Sequence, residues 1–180
     1  DALVIASIAK AAGVLWFSTS SLRYGELASS LKHDVGGATV WGPGPWEPHQ
    51  QLDLSWYGIH PVELLYTLMG PGCVKVTRFS GGTAEKGADV IVGVWKDGRV
   101  GTVRTLRPYG GYGAVVFHPD GKSEAKLSSE APYAALVKQI MLFFQTKQVP
   151  VPNEETLELF RFLDAAQRSK EAGGRPELLR

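Results

Sequence analysis

The chain has 180 residues, 44% hydrophobic and 21% charged, with 19 basic against 18 acidic side chains and a net charge of +1. That length suits one domain with a sizeable core, and the even spread of charge gives neither the basic stripe of a nucleic-acid binder nor the acidic block of a disordered tail. No apolar stretch approaches the span a bilayer requires, and the single cysteine, Cys73, excludes an internal disulfide and a cysteine-based zinc cluster.

Residues 2–12 read as an amphipathic helix with Val4, Ile5 and Ile8 on its apolar stripe and Gly13 as C-terminal cap. The chain opens on this helix without a methionine or a leader, so we expect it to be a fragment or processed product of a longer protein. "VLWFST" then reads as a short buried strand, and residues 21–31 as a second helix burying Leu22, Leu27 and Leu31. "GGATVWG" predicts a short strand, and the prolines of "PGPWEPHQQ" an irregular loop.

A helix over 61–69 follows, with Pro61 in its first turn and Gly70-Pro71-Gly72 at its end. Strand character then takes over in "CVKVTRFSGG", "ADVIVGVWKDGRVGTVRTLR" and "GAVVFHPDGKSEAKL", where Asp97-Gly98 and Asp120-Gly121 predict tight two-residue hairpin turns. Helices over 132–146 and 154–171 close the chain, the last one capped by Asn153 and burying Leu159, Phe160, Leu163 and Ala166. Helices, then antiparallel strands, then helices predict an α+β domain: one open, mainly antiparallel sheet with helices on one face.

The chemistry concentrates in "WYGIHPVELLYTLMG". Asp53 lies just upstream, and His60 and Glu63 stand three residues apart, neighbours on a helix face. An imidazole beside a carboxylate is a proton-relay pair, because the acid fixes the tautomer and tunes the pKa. The same spacing also suits a plain helix start, with His60 capping and Glu63 complementing the dipole. His33 and His118 read as structural, while His49 in the proline-rich loop is either mobile or ligand-facing. His49, Asp53, His60 and Glu63 match no dense ligand motif, so no metal is expected. There is no G-x-S-x-G elbow, Cys73 reads as core, and "PYGGYGAVV" lacks both the third glycine and the helix of a dinucleotide fingerprint. Arg23 and Tyr24 in "SSLRYGEL" follow a predicted strand end, either a ligand-facing position or a surface helix start. Arg107, Tyr109 and Tyr112 form a tract that lines a cleft or covers the sheet.

Taken together, the leading helix, "SSLRY", the proline-rich loop, "GIHPVE", the long hairpins and the tail "AAQRSKEAGGRPELL" resemble the Gfo/Idh/MocA oxidoreductases. The resemblance covers nearly the whole chain, but only that family's C-terminal, substrate-binding half. It implies an N-terminal Rossmann domain holding NAD or NADP, ended by a Glu-Lys-Pro motif and lying before residue 1. It makes His60 the residue that takes or gives the proton of a sugar or cyclitol hydroxyl, Glu63 the neighbouring acid, and Arg23, Tyr24, Trp56, Tyr57 and His49 substrate contacts. The family's first aspartate falls on Trp56, which relays no proton, and Glu63 is longer than the usual aspartate. The resemblance further implies a homo-oligomer formed through the sheet face and a cytoplasmic location, any export signal lying upstream. This chain alone is expected to be inactive. Two rival readings follow from Trp56: a non-catalytic sugar-binding or assembly module, and lyase-type glycoside cleavage through transient oxidation.

Overall fold

A computed structural model describes residues 2–47, 49, 52–128 and 132–180. Its centre is an open seven-stranded sheet in the order β6-β5-β1-β4-β3-β2-β7. The strands are β1 (Gly37–Pro43), β2 (Cys73–Gly82), β3 (Gly87–Trp95), β4 (Val100–Arg107), β5 (Tyr112–Phe117), β6 (Ser123–Ser128) and β7 (Glu177–Leu178). All neighbouring pairs run antiparallel except β1 with β4, where Ala38 lies opposite Gly101. The alternating sequence of β3 places Asp89, Ile91, Gly93 and Trp95 on the buried face and leaves Val90, Val92 and Val94 half-buried on the other.

The covering layer is built around α3 (Ile59–Met69), in which every residue from Pro61 to Met69 is buried. A helix apolar on all sides belongs in the middle of a domain. Here α3 lies against β1 and β4, while α5 (Asn153–Glu171) lies against β2. Tyr66 of α3 joins the two, its ring centroid 5.8 Å from Trp95 of β3 and 5.8 Å from Phe162 of α5. Cys73 is buried at the start of β2, and burial pushes its thiol up to about 12, well away from reactive thiolate chemistry.

Several expectations are corrected. "VLWFST" forms no strand: Val14 and Leu15 are 58% and 50% exposed, and the segment is not among the seven strands of the sheet. Phe17 from this segment packs edge-on against Phe143 of α4 (Tyr133–Thr146), centroids 5.0 Å apart. The predicted helix over 21–31 is split into a 3-10 turn (Ser21–Tyr24) and a short α2 (Glu26–Ser29) by Gly25, which is extended. A side chain there would stand 2.8 Å from Pro132 Cγ, so the break accompanies a contact distant in sequence. The helix at His60 begins at Ile59, not Pro61, and Asn153 is the first residue of α5 while Pro152 takes the cap position. Both hairpins close through three-residue loops with Gly98 (φ +87) and Gly121 (φ +86) left-handed, where two-residue turns were predicted. The apolar stripe of α1 (Ala2–Ala11) is formed but not buried, with Val4, Ile5 and Ile8 all 58–63% exposed. No described helix is long and apolar enough to cross a membrane.

Candidate active site

His60 is the second residue of α3, at the end of the helix that meets the loop from β1. It is half-buried, and its Nδ1 lies 3.0 Å from Ser20 Oγ. Ser20 is itself buried and caps the 3-10 turn, its hydroxyl accepting from Leu22 N–H. A hydroxyl both donates and accepts, so Ser20 supports either imidazole tautomer. That property suits a group that must alternate between proton acceptor and donor.

Of the two readings that the spacing left open, the direct His60–Glu63 pair is not formed: Glu63 bonds elsewhere. Its Oε1 accepts from Thr19 Oγ1 at 2.8 Å and from Arg23 Nε at 3.1 Å. Arg23 also reaches Glu155 Oε1 of α5 at 2.7 Å, and its side chain is only 12% exposed. Burial works against the Arg23 charge, but Glu63 and Glu155 outweigh it and hold the guanidinium above its usual value. The trio thus ties the 3-10 turn to α3 and α5 from below His60. Removing Arg23 strands two carboxylates, so Arg23→Ala is expected to lower stability by about 3 kcal/mol in urea unfolding with an unchanged m-value. A loss below about 0.5 kcal/mol contradicts this anchoring role.

Electrostatics favour a neutral imidazole at His60. Burial lowers its pKa, and the negative charge of Glu63 only partly opposes that. In an NMR titration, the His60 ring is expected to protonate below the ordinary histidine range. Because the folded-state pKa is depressed, His60 contributes stability above its unfolded pKa of about 6.5, and that contribution fades as pH falls through the lower folded value. A His60 pKa at or above the ordinary value contradicts the burial argument.

Around the imidazole stands an aromatic wall. Tyr57 meets the His60 ring edge-to-face at 5.8 Å, and Tyr109 and Trp56 in turn meet the Tyr57 ring at 5.4 and 6.2 Å. Trp56 and Tyr109, 56% and 64% exposed, pack on Tyr57, the ring that itself meets the histidine. Burial raises the phenol of Tyr24 beside Thr19 and that of Tyr112 beside Tyr109. Such rings suit the apolar C–H faces of a sugar or cyclitol, and their hydroxyls suit its polar edge. The small cavity beneath, lined by Arg23, Glu63, Glu155 and Phe160, has a volume of only about 10 Å³, room for about one water.

Two sequence candidates lie elsewhere. His49 is exposed and hydrogen-bonds Glu47 Oε1 at 2.6 Å, with no direct contact to His60 among the described residues. Asp53, expected beside His60, instead takes a two-pronged bond from Arg78 at 2.7 and 3.1 Å and a third from Lys170 at 2.5 Å. Burial alone would raise the Asp53 pKa, but these cations hold it below the usual range. Sequence reasoning missed Ser20, Thr19 and the second role of Glu155. The hydroxyl-rich "STSS" before Arg23 was the available signal, though nothing in it specifies a partner 40 residues away.

No family model and no curated protein sequence matches this chain. Solved structures do. GenD2 from gentamicin A biosynthesis, in complex with NAD, matches with a TM-score of 0.79 at 15% identity, covering 99% of this chain and 68% of that one. Myo-inositol 2-dehydrogenase from Lactobacillus plantarum matches with a TM-score of 0.77 at 12% identity, covering 99% and 69%. A myo-inositol dehydrogenase from Corynebacterium glutamicum matches with a TM-score of 0.71 at 12% identity, covering 89% and 63%. The chain thus spans about two thirds of these relatives' length, and at such identities the likeness is one of fold: that of the C-terminal domain of Gfo/Idh/MocA-type dehydrogenases.

Proposed function

We propose that this chain is the substrate-binding half of an NAD(P)-dependent oxidoreductase acting on a sugar or cyclitol hydroxyl, with His60 as the proton-transfer residue. The observation that carries the reading is His60 itself: half-buried, with its pKa lowered, hydrogen-bonded to an ambivalent hydroxyl and edge-to-face with Tyr57, on which Trp56 and Tyr109 pack. In the oxidative direction the neutral imidazole of His60 would accept the proton of the substrate hydroxyl, and a bound nicotinamide would supply the acceptor for the hydride of the carbon that bears that hydroxyl. Reduction runs the two transfers backwards. The cofactor supplies the hydride acceptor and is held mainly by a Rossmann domain preceding Asp1.

Glu63, Arg23 and Glu155 act in this reading as the frame that fixes α3, rather than as direct substrate ligands. Two exposed surfaces fit it as well. Val4, Ile5 and Ile8 on α1 offer an apolar stripe for a further domain to cover. The outer sheet face, with Val92, Leu106 and Phe117 not buried, suits pairing with a second copy of the chain.

Calorimetric titration of the 180-residue chain with NADH and NADPH tests the division of labour. No binding is expected from the chain alone, and binding is expected once it is joined to its nucleotide-binding domain. Saturable binding by the chain alone contradicts the proposal.

A further inference from the structure

At the opposite end of β1 from the aromatic wall, three side chains from separate segments converge. His33 lies in the loop between α2 and β1, His118 at the start of the β5–β6 turn, and Glu124 on β6. One ligand atom from each lies within 4.8 Å of the others, the only such trio of histidine, cysteine or acid side chains found among the described residues. The seven residues of β1 separate it from the α3 end by roughly 20 Å. It is therefore independent of the proton-transfer site.

His118 makes this more than a chance cluster. Its Nδ1 lies 3.1 Å from the Asp34 carbonyl oxygen, which can only accept, so Nδ1 carries the proton. In the neutral ring that leaves the lone pair on Nε2. The side chain is 9% exposed, and Nε2 is buried with no hydrogen-bond partner. This orphaned nitrogen faces Glu124 Oε1 at 3.5 Å, and His33 Nε2 faces the same oxygen at 3.4 Å. A lone pair aimed at a carboxylate is unfavourable without a positive centre between them. The two imidazoles stack at 5.3 Å with an interplanar angle of 27°, so both nitrogens present to one side.

We propose that His33, His118 and Glu124 form a binding site for a divalent transition-metal ion of zinc type. Two imidazole nitrogens and one carboxylate oxygen make a set that zinc, nickel or copper accepts and magnesium does not favour. Ligand atoms about 2.05 Å from a tetrahedral ion lie about 3.3 Å from one another, close to the nitrogen–oxygen separations present here. The bond from Nδ1 to a backbone carbonyl is the usual orienting contact of a metal-bound histidine. Three protein ligands leave the fourth position to water. The ion would staple the β5–β6 hairpin to the loop entering β1, which makes its role structural.

The test is a titration of the tag-free chain with zinc sulfate, read by calorimetry and thermal shift, with cobalt(II) absorption reporting tetrahedral coordination. One ion per chain is expected, with a rise in Tm for zinc and none for equal magnesium. Affinity should fall about tenfold or more in His118→Ala and in Glu124→Gln. Glu124 is half-exposed, so its variant keeps the fold intact. His49→Ala, which removes the other histidine–carboxylate pair, should leave affinity unchanged. Absence of saturable zinc binding overturns the proposal, as does a Glu124→Gln chain that binds as tightly as wild type.

Discussion

Replacing Asp89 by alanine is expected to destabilise the fold by about 3–5 kcal/mol, the usual cost of breaking a buried ion pair from one side. Asp89 is fully buried on β3, and its Oδ2 accepts from Arg107 Nη1 at 2.5 Å, Trp46 Nε1 at 3.0 Å and Thr105 Oγ1 at 3.2 Å. Arg78 adds a charge contact at 3.4 Å, and the side chains of both arginines are 1% exposed. Trp46 lies between two cations, with Arg107 at 4.2 Å and Lys170 at 3.8 Å from its ring. This network, extended through Asp53, fastens the irregular loop from β1 to the sheet and to α5. The loop in turn leads into α3, so the position of His60 depends on charges it never touches. For a chain of this size the loss corresponds to a Tm lower by roughly 6–20 °C. Asp97→Ala, at the exposed pair with Arg99, should leave Tm within error. A drop of about 2 °C or less in Asp89→Ala contradicts the network's structural role. Burial alone would raise the Asp89 pKa, but its donors, with Arg78 and Arg107 among them, bring it below the usual range. Its stabilisation is therefore complete above the unfolded carboxylate value of about 3.9 and disappears as pH falls through the lower folded value.

The second large effect concerns catalysis in the proposed two-domain enzyme, in which a nucleotide-binding domain accompanies this chain. His60→Ala is expected to lower kcat by about 10²–10⁴-fold, the range for loss of a positioned general base, with the fold unchanged because the imidazole is only half-buried. Ser20→Ala should act through His60. Without the Oγ–Nδ1 contact the imidazole loses its orienting partner, so the pH profile shifts while substrate KM changes little. A Trp56→Ala or Tyr109→Ala variant should instead raise KM, because those rings border the site without carrying a proton.

Much of the scaffold was legible in the sequence. Alternation in β3 and β4, with Asp97-Gly98 between them, marked a hairpin that forms as read, apart from its three-residue loop. Leu159, Leu163 and Ala166 correctly marked the inner face of α5. What could not be read depends on partners far along the chain. Gly25 breaks a periodic helical pattern where Pro132 packs against it, and "VLWFST" has the composition of a strand but stays outside the sheet. The site divides in the same way. Spacing put His60 and Glu63 on one helix and left open whether they form a relay pair or a plain helix start, whereas tertiary contacts gave each its own partner, Ser20 and Arg23, each 40 residues distant. Arg78 and Asp89 carry no distinguishing signal in the sequence, because a buried ion pair is visible only once both members are placed.

The role given to His60 is tested most directly by following NAD(P)H formation by the intact protein across a panel of cyclitols and sugars, for wild type and His60→Ala in parallel. The expected result is turnover with at least one polyol in the wild type, rising with pH through a pKa below the ordinary histidine value, and a loss of about 10²–10⁴-fold in the variant. Equal turnover in the two proteins, or polyol binding without any coenzyme reduction, would contradict it.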